Sequence, residues 1–179
     1  MPSNDLLERM AGIRLIIFDV DGVLTDGSLS MPHQGGGRRF DVKDGFGFYL
    51  ARQAGLKLAF CSGKDEPELR ARAEALKVDF YRLGRLDKDE AVAEILEEAG
   101  LAPEEAAFVG DDLFDLPAME AVGLALAPAD ARPELRDYAH AVLESPGGRG
   151  AGREAIEAVL KARGDWDAAV SRFLRVRHD

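Results

Sequence analysis

The chain has 179 residues, of which 46% are hydrophobic, so it is long enough to form one domain with a substantial core. Its formal net charge of −10 at pH 7 argues against binding to nucleic acid or to an anionic membrane surface, because both of these partners are negatively charged. The single cysteine, Cys61, excludes an internal disulfide, and no signal peptide or membrane-spanning stretch is visible, so we expect a cytoplasmic protein.

Short apolar runs alternate with amphipathic segments along the chain, a pattern that predicts the strands and helices of a parallel α/β sheet. The predicted strands are residues 15–18, 56–60, 78–81, 106–109, 124–127 and 142–143. The predicted helices are residues 3–11, 46–54, 66–76, 89–99, 116–122, 135–139 and 153–162. Asp44 is the predicted N-cap of the second of these helices. We therefore expect a single α/β domain that covers residues 1–179.

Two segments do not follow this alternation. Residues 26–42 contain two stretches of alternating apolar residues around a glycine-rich turn, which predicts a small β-hairpin or, alternatively, a surface loop. Residues 165–179 form a locally basic tail in which Trp166 and Phe173 lie near helical spacing. The sequence does not decide whether this tail packs on the core, reaches a neighbouring molecule or frays.

Carboxylates follow two of the predicted strands. Asp19 and Asp21 come directly after the first strand, and Asp111, Asp112 and Asp115 follow the fourth. Ligands of open α/β sheets bind beyond the carboxyl ends of the strands. Carboxylates this close repel one another unless a cation or a shared proton compensates, and Mg²⁺ prefers oxygen ligands. The pattern predicts a cation site, with aspartate-capped turns as the alternative.

A hydroxyl and a cation mark two further positions. Ser62 precedes Gly63 at the end of the second predicted strand, where a hydroxyl beside free backbone N–H groups makes a seat for phosphate. A Ser-Gly pair alone is also a common turn. Lys88 comes just before a predicted helix and opposes its dipole, so its place needs a reason other than helix stability.

These residues resemble the motifs of the haloacid dehalogenase-like phosphatases. Residues 19–26, DVDGVLTD, resemble the first motif, in the form typical of the subgroup that acts on 3-deoxy-manno-octulosonate 8-phosphate. Ser62, Lys88 and residues 110–115 resemble the second, third and fourth motifs in the family's order. The resemblance covers about residues 14–158. It implies a Rossmann-like parallel sheet with helices on both faces.

The resemblance also implies a role for each residue. Asp19 attacks phosphorus and forms an aspartyl-phosphate, while Asp21 protonates the leaving oxygen and then activates water. Ser62 and Lys88 hold the phosphoryl oxygens. The expected cofactor is Mg²⁺, bound by the carboxylates of Asp19 and Asp111 and by the backbone carbonyl of Asp21. Residues that orient these ligands are expected to be Asp112 and Asp115.

The implied substrate carries a carboxylate as well as a phosphate, and it needs further contacts. The resemblance and the distribution of cations point to Phe40, Asp41, Val42, Lys43, Asp44, Lys64 and Arg72. We expect Arg72 to be the better carboxylate partner, because its planar fork can donate two parallel hydrogen bonds. The alternative for Arg72 is an ion pair with a glutamate on a solvated helix face.

The spacing of the motifs leaves no room for the cap domain with which many members of the family close their site. Residues 21–62 must hold the hairpin, a helix and a strand, and residues 62–88 must hold a helix and a strand. Phosphoryl transfer benefits from the exclusion of water, which neighbouring subunits can provide. We therefore expect an oligomer, most simply a homotetramer.

The resemblance makes a Mg²⁺-dependent phosphatase the leading hypothesis. Its substrate would be a small phosphorylated sugar acid, 3-deoxy-D-manno-octulosonate 8-phosphate, in lipopolysaccharide precursor synthesis. One alternative is a phosphatase for a nine-carbon 2-keto-3-deoxy sugar acid phosphate, since Lys64 stands where the eight-carbon enzymes favour Arg. Another is a non-catalytic binding or regulatory module related to the C-terminal domain of sialic acid-activating enzymes.

Overall fold

The computed structural model describes residues 3–29 and 37–176. Its strands are β1 Leu15–Phe18, β2 Lys57–Ser62, β3 Phe80–Leu83, β4 Ala106–Val109, β5 Leu124–Ala127 and β6 Ala141–Val142. They form one parallel sheet in the order β3-β2-β1-β4-β5-β6. The predicted parallel α/β sheet is confirmed, and β1 lies at its centre because its four apolar residues are all buried.

Helices cover both faces of this sheet. They are α1 Asn4–Gly12, α2 Val42–Gln53, α3 Pro67–Leu76, α4 Lys88–Ala99, α5 Leu116–Glu120, α6 Pro133–Tyr138, α7 Ala151–Ala162 and α8 Trp166–Val176. Alternate residues of β1 point to opposite faces. Ile16 and Phe18 pack in a core with residues of α1, α2, α3, α7 and α8, whereas Leu15 and Ile17 pack with residues of α4, α5 and α6.

The helix after the first motif begins earlier than the sequence predicted. Asp41, not Asp44, is its N-cap, because the Asp41 carboxylate accepts a hydrogen bond from the backbone N–H of Lys43 at 2.8 Å. The helix therefore starts at Val42, four residues before the predicted start, and Asp44 lies inside its first turn. The predicted boundary at residue 46 is wrong for this reason.

The predicted hairpin is only partly covered by the structure. Residues 26–29 and 37–41 form no strand, and residues 30–36 lie outside the described residues, so the hairpin stays a prediction. Between β1 and β2 the described residues form α2, and between β2 and α4 they form α3 and β3. No cap domain is inserted at either place within the described part of the chain.

The C-terminal tail packs on the core as α8. Trp166 and Phe173 contact the larger hydrophobic core, and the Phe173 ring meets the ring of Phe46 edge-on, with centroids 4.8 Å apart. Arg172 donates a hydrogen bond to the carbonyl of Gln53 at 2.6 Å. Residues 177–179 lie outside the described residues. None of the helices in the described ranges has the length and hydropathy needed to span a bilayer.

Candidate active site

The candidate active site is an open cavity of about 470 Å³ at the edge of the sheet where β1, β2 and β4 end. Parallel strands direct their carboxyl ends to the same edge, so motifs that are far apart in the sequence meet here. Residues of all four motifs line the cavity, and they include Asp19, Asp21, Ser62, Lys64, Lys88, Asp111, Asp112 and Asp115.

A buried lysine lies among the acidic side chains. Lys88 is the first residue of α4, and its side chain is only 5% exposed. Its Nζ donates hydrogen bonds to Oδ1 of Asp19, at 2.7 Å, and to Oδ1 of Asp115. One carboxylate oxygen from each of Asp19, Asp111 and Asp115 lies within 4.8 Å of the other two. The ammonium group therefore binds two of the three carboxylates that form this cluster.

Burial and mutual repulsion dominate the electrostatics of this cluster. Burial raises the pKa of Asp19 above its ordinary value and repulsion from Asp115 adds to the rise, although Lys88 lowers it. The pKa of Asp111 is raised to about 8, first by burial and then by repulsion from Asp19. Burial lowers the pKa of Lys88, but the carboxylates outweigh it and the pKa is raised. Lys88 alone therefore does not offset the burial and mutual repulsion of these carboxylates, and their oxygen donors suit a hard divalent cation.

Asp115 holds the acidic turn after β4 in place. Its Oδ2 accepts the backbone N–H groups of Asp111 at 2.9 Å and Asp112 at 3.4 Å, while Oδ1 accepts from Lys88. Asp112 is exposed, and its carboxylate accepts the N–H of Leu113 at 2.7 Å. Both side chains thus order the turn that carries Asp111, and their role in orienting metal ligands stays a prediction.

Glycine is required where the loops after β1 and β4 approach each other. Gly22 has a φ of +97°, and a Cβ at this position would lie 2.0 Å from Oδ2 of Asp111. Gly110 has a similar constraint, because a Cβ there would lie 2.4 Å from Cβ of Asp115. Any side chain at these positions would displace the carboxylates, so the two glycines allow the acidic cluster to form.

The end of β2 forms another part of the cavity wall. Ser62 is buried, and its Oγ accepts the backbone N–H of Lys64 at 3.2 Å. Ser62, Gly63 and Lys64 line the same cavity as the carboxylates of the other two loops. A hydroxyl and an ammonium group therefore face the same space as the acidic cluster.

Among the residues predicted to contact the rest of the sugar acid, Lys64 lines the cavity. The cavity is not lined by the remaining ones, which are Phe40, Asp41, Val42, Lys43, Asp44 and Arg72. Asp41 caps α2, and Val42 and Lys43 are exposed. The Arg72 guanidinium lies over the ring of Phe40, 4.8 Å from its centroid. Its buried Nε has no hydrogen-bond partner among the residues that the structure describes.

Asp44 is turned toward α7 instead of the cavity. Its side chain is buried, and Oδ1 accepts the backbone N–H of Arg153 at 2.7 Å. This N–H belongs to the first turn of α7, where backbone donors lack partners within the helix. Asp44 therefore stabilises the start of a second helix, which is a structural role that the sequence did not reveal.

Sequence reasoning missed Arg38. Its guanidinium donates to both carboxylate oxygens of Asp21, from Nε to Oδ1 at 2.6 Å and from Nη2 to Oδ2 at 3.0 Å, and Nη1 donates to Glu66. These hydrogen bonds, led by those to Asp21, raise the pKa of Arg38 above its ordinary value. The adjacent Arg39 is exposed, and nothing in the local sequence separates the two arginines.

Similar proteins were found by comparison of the sequence and of the structure. The haloacid dehalogenase-like hydrolase family matches residues 41–123. The 3-deoxy-D-manno-octulosonate 8-phosphate phosphatase KdsC of Escherichia coli (strain K12) is 40% identical over 168 residues, which cover 93% of this chain and 89% of that protein.

Two solved structures of such phosphatases superpose closely on this chain. The Yersinia pestis structure has a TM-score of 0.88 and 39% identity, covering 92% of this chain and 89% of that chain. The Moraxella catarrhalis structure, a complex with magnesium ion, phosphate ion and KDO, has a TM-score of 0.90 and 30% identity, covering 95% and 98% of the two chains.

The fold, the four motifs and the acidic cluster together define a haloacid dehalogenase-like hydrolase. Within that class, the identity and coverage show that the chain belongs to the family of the 3-deoxy-D-manno-octulosonate 8-phosphate phosphatases. The protein is accordingly an enzyme of the phosphoric monoester hydrolase type.

Proposed function

We propose that this protein is a Mg²⁺-dependent phosphatase that releases phosphate from 3-deoxy-D-manno-octulosonate 8-phosphate in lipopolysaccharide precursor synthesis. The observation that carries the proposal is the cluster of Asp19, Lys88 and Asp111 at the sheet edge. It occurs in a chain about 40% identical, over most of its length, to phosphatases named for this substrate. The magnesium and phosphate ions in the Moraxella catarrhalis complex support the same chemistry.

In the proposed mechanism, Asp19 is the nucleophile. An oxygen of its carboxylate attacks phosphorus, the bond from phosphorus to the sugar oxygen breaks, and Asp21 gives its proton to that oxygen. Asp21 then takes a proton from water, which attacks the aspartyl-phosphate and regenerates the Asp19 carboxylate with release of phosphate. Lys88 holds Oδ1 of Asp19 and keeps the carboxylate oriented between the steps.

The proposed metal ligands are the carboxylates of Asp19 and Asp111 and the backbone carbonyl of Asp21. Mg²⁺ bound there would neutralise negative charge on the phosphoryl oxygens. Ser62 and Lys88 complete the phosphate site by donating hydrogen bonds to the same oxygens. The excess of carboxylates over described cations in the cluster supports this assignment.

The sugar acid carries a second anionic group, for which Lys64 is the first candidate because it lines the cavity. Arg72 and residues 40–44 stay predictions as substrate contacts. The stacking of Arg72 on Phe40 supports an indirect contribution, in which Arg72 holds the segment that leads to α2.

A homotetramer is part of the proposal. Large apolar side chains are exposed around the mouth of the cavity, where no cap domain covers them in the described residues, and they include Leu29, Leu86 and Phe114. Association of subunits would remove this surface from water and shield the site. Light scattering at micromolar concentration should give about four times the mass of the chain, and a monomer alone would contradict this part of the proposal.

The proposed function is tested by phosphate release from the eight-carbon and nine-carbon sugar acid phosphates, assayed in parallel. We expect the eight-carbon substrate to be preferred, EDTA to abolish turnover, and added Mg²⁺ to restore it. Asp19→Asn should remove activity, whereas the matched control Asp5→Asn, on the exposed face of α1, should retain it. A substantially active Asp19→Asn enzyme would refute the assignment of Asp19 as the nucleophile. A preference for the nine-carbon sugar acid phosphate would refute the proposed eight-carbon substrate.

A further inference from the structure

Arg38 makes the most extensive contact with the proposed acid and base. All three nitrogens of its guanidinium are engaged by carboxylates, two by Asp21 and one by Glu66. The Arg38 side chain is 4% exposed, although Glu66 is 45% exposed. Buried, two-pronged pairs of arginine and carboxylate are stronger and more directional than exposed ion pairs. This contact therefore restrains the Asp21 carboxylate.

Asp21 has little else to orient it. It lies in the turn after β1, and its other hydrogen-bond contact within the described residues is a long one, 3.5 Å from Oδ1 to Oγ1 of Thr25. The torsion between Cβ and the carboxylate is broad in aspartate, so an unrestrained Asp21 would sample many orientations. The planar fork of Arg38 selects one of them.

Arg38 also connects Asp21 to the loop after Ser62, a residue of the proposed phosphate site. Glu66 is the N-cap residue of α3 and follows Ser62 by four positions, so the Arg38–Glu66 pair joins the loops after β1 and β2. The segment that carries Arg38 makes a second contact two residues further along the chain, where the Phe40 ring packs under the Arg72 guanidinium. The side chains of Arg38 and Phe40 thus both hold this segment in place.

We propose that Arg38 is a positioning residue that holds the ionised Asp21 carboxylate in the orientation it needs as general base toward the water that attacks the aspartyl-phosphate. The inference rests on the proposed function, since it requires Asp21 to activate this water in the step that both substrates share. Arg38 is not the group that receives the carboxylate of the sugar acid, because its three nitrogens already contact protein carboxylates.

The test compares Arg38→Ala with Arg38→Lys and with Arg39→Ala, the exposed neighbour as matched control. Each variant is assayed with the sugar acid phosphate and with p-nitrophenyl phosphate, which has no carboxylate. Arg38→Ala should lower kcat roughly 10- to 100-fold on both substrates, as the loss of orienting partners does elsewhere, and should change KM by less than about threefold. Arg38→Lys should lie between wild type and Arg38→Ala, and Arg39→Ala should match wild type.

A merely structural role would lower the unfolding temperature of Arg38→Ala without this drop in kcat. Added guanidinium ion at low concentration should restore part of the kcat of Arg38→Ala and leave Arg39→Ala unchanged. If Arg38→Ala does not fold, the proposal is tested by comparing the kcat of Arg38→Lys with that of wild type and of Arg39→Ala. An unchanged kcat, or a rise in KM confined to the sugar acid phosphate, would overturn the proposal. A wild-type enzyme without metal-dependent phosphatase activity would instead overturn the proposed function.

Discussion

The buried Asp44 carboxylate makes the stability of this protein depend on pH in a defined way. Asp44 is 2% exposed, its Oδ1 accepts from Arg153, and its Oδ2 has no hydrogen-bond partner among the described residues. Burial raises the pKa of Asp44 from 3.8 to about 6. The hydrogen bond from the Arg153 backbone and the charges of Arg72 and Arg153 oppose this rise, and the charge of Asp41 adds to it.

The sign and size of the effect follow from this pKa. Because the pKa is higher in the folded protein than in the unfolded chain, protonated Asp44 favours folding, and this contribution is lost as the pH rises from about 4 through about 6. The change in the pKa of Asp44 from 3.8 to about 6 lowers the free energy of unfolding at high pH by roughly 3 kcal/mol at most, since each pKa unit corresponds to about 1.4 kcal/mol. Asp44→Asn keeps an oxygen that accepts from Arg153 and removes the buried charge.

We therefore expect Asp44→Asn to be more stable than wild type above pH 7, by about 1 to 3 kcal/mol, and equal to it below about pH 4. Urea unfolding at several pH values between 4 and 8 measures the difference. Asp41→Asn is the matched control, because asparagine caps a helix as well as aspartate does. A difference that does not change with pH, or a less stable Asp44→Asn at pH 7.5, would refute the reasoning.

Three further changes test the assignment of the cavity. Lys64→Ala should raise KM for the sugar acid phosphate severalfold and leave p-nitrophenyl phosphate almost unaffected, so equal losses on both would contradict a carboxylate contact. Arg72→Ala should have a smaller effect on KM and lower the free energy of unfolding by about 1 kcal/mol, because it removes the stack on Phe40. Gly22→Ala should abolish activity by displacing Asp111, whereas Gly55→Ala, which shares a positive φ but has open space, should only lower the unfolding temperature.

The sequence by itself determined the sheet and the residues that meet at its edge. The strands at 15–18, 106–109 and 124–127 were predicted at their observed bounds, because strands buried on both faces are continuous apolar runs that end where the chain reaches water. In a parallel sheet the carboxyl ends of the strands lie at one edge, regardless of the length and conformation of the loops. The proximity of Asp19 and Asp111 can therefore be predicted from the sequence alone.

Tertiary structure alone decided the contacts between segments that are distant in the sequence. Asp41 and Asp44 both lie at the start of α2, and only the fold places the Asp44 carboxylate against the backbone N–H of Arg153, a donor 109 residues beyond it. Arg38 and Arg39 are equivalent in the sequence, and only the packing of the chain determines which of them is buried against Asp21. Local periodicity in the sequence indicates which face of a helix or strand is buried. The partner of a polar side chain depends instead on how whole helices and strands are placed relative to one another. A short window of sequence does not contain this relative placement.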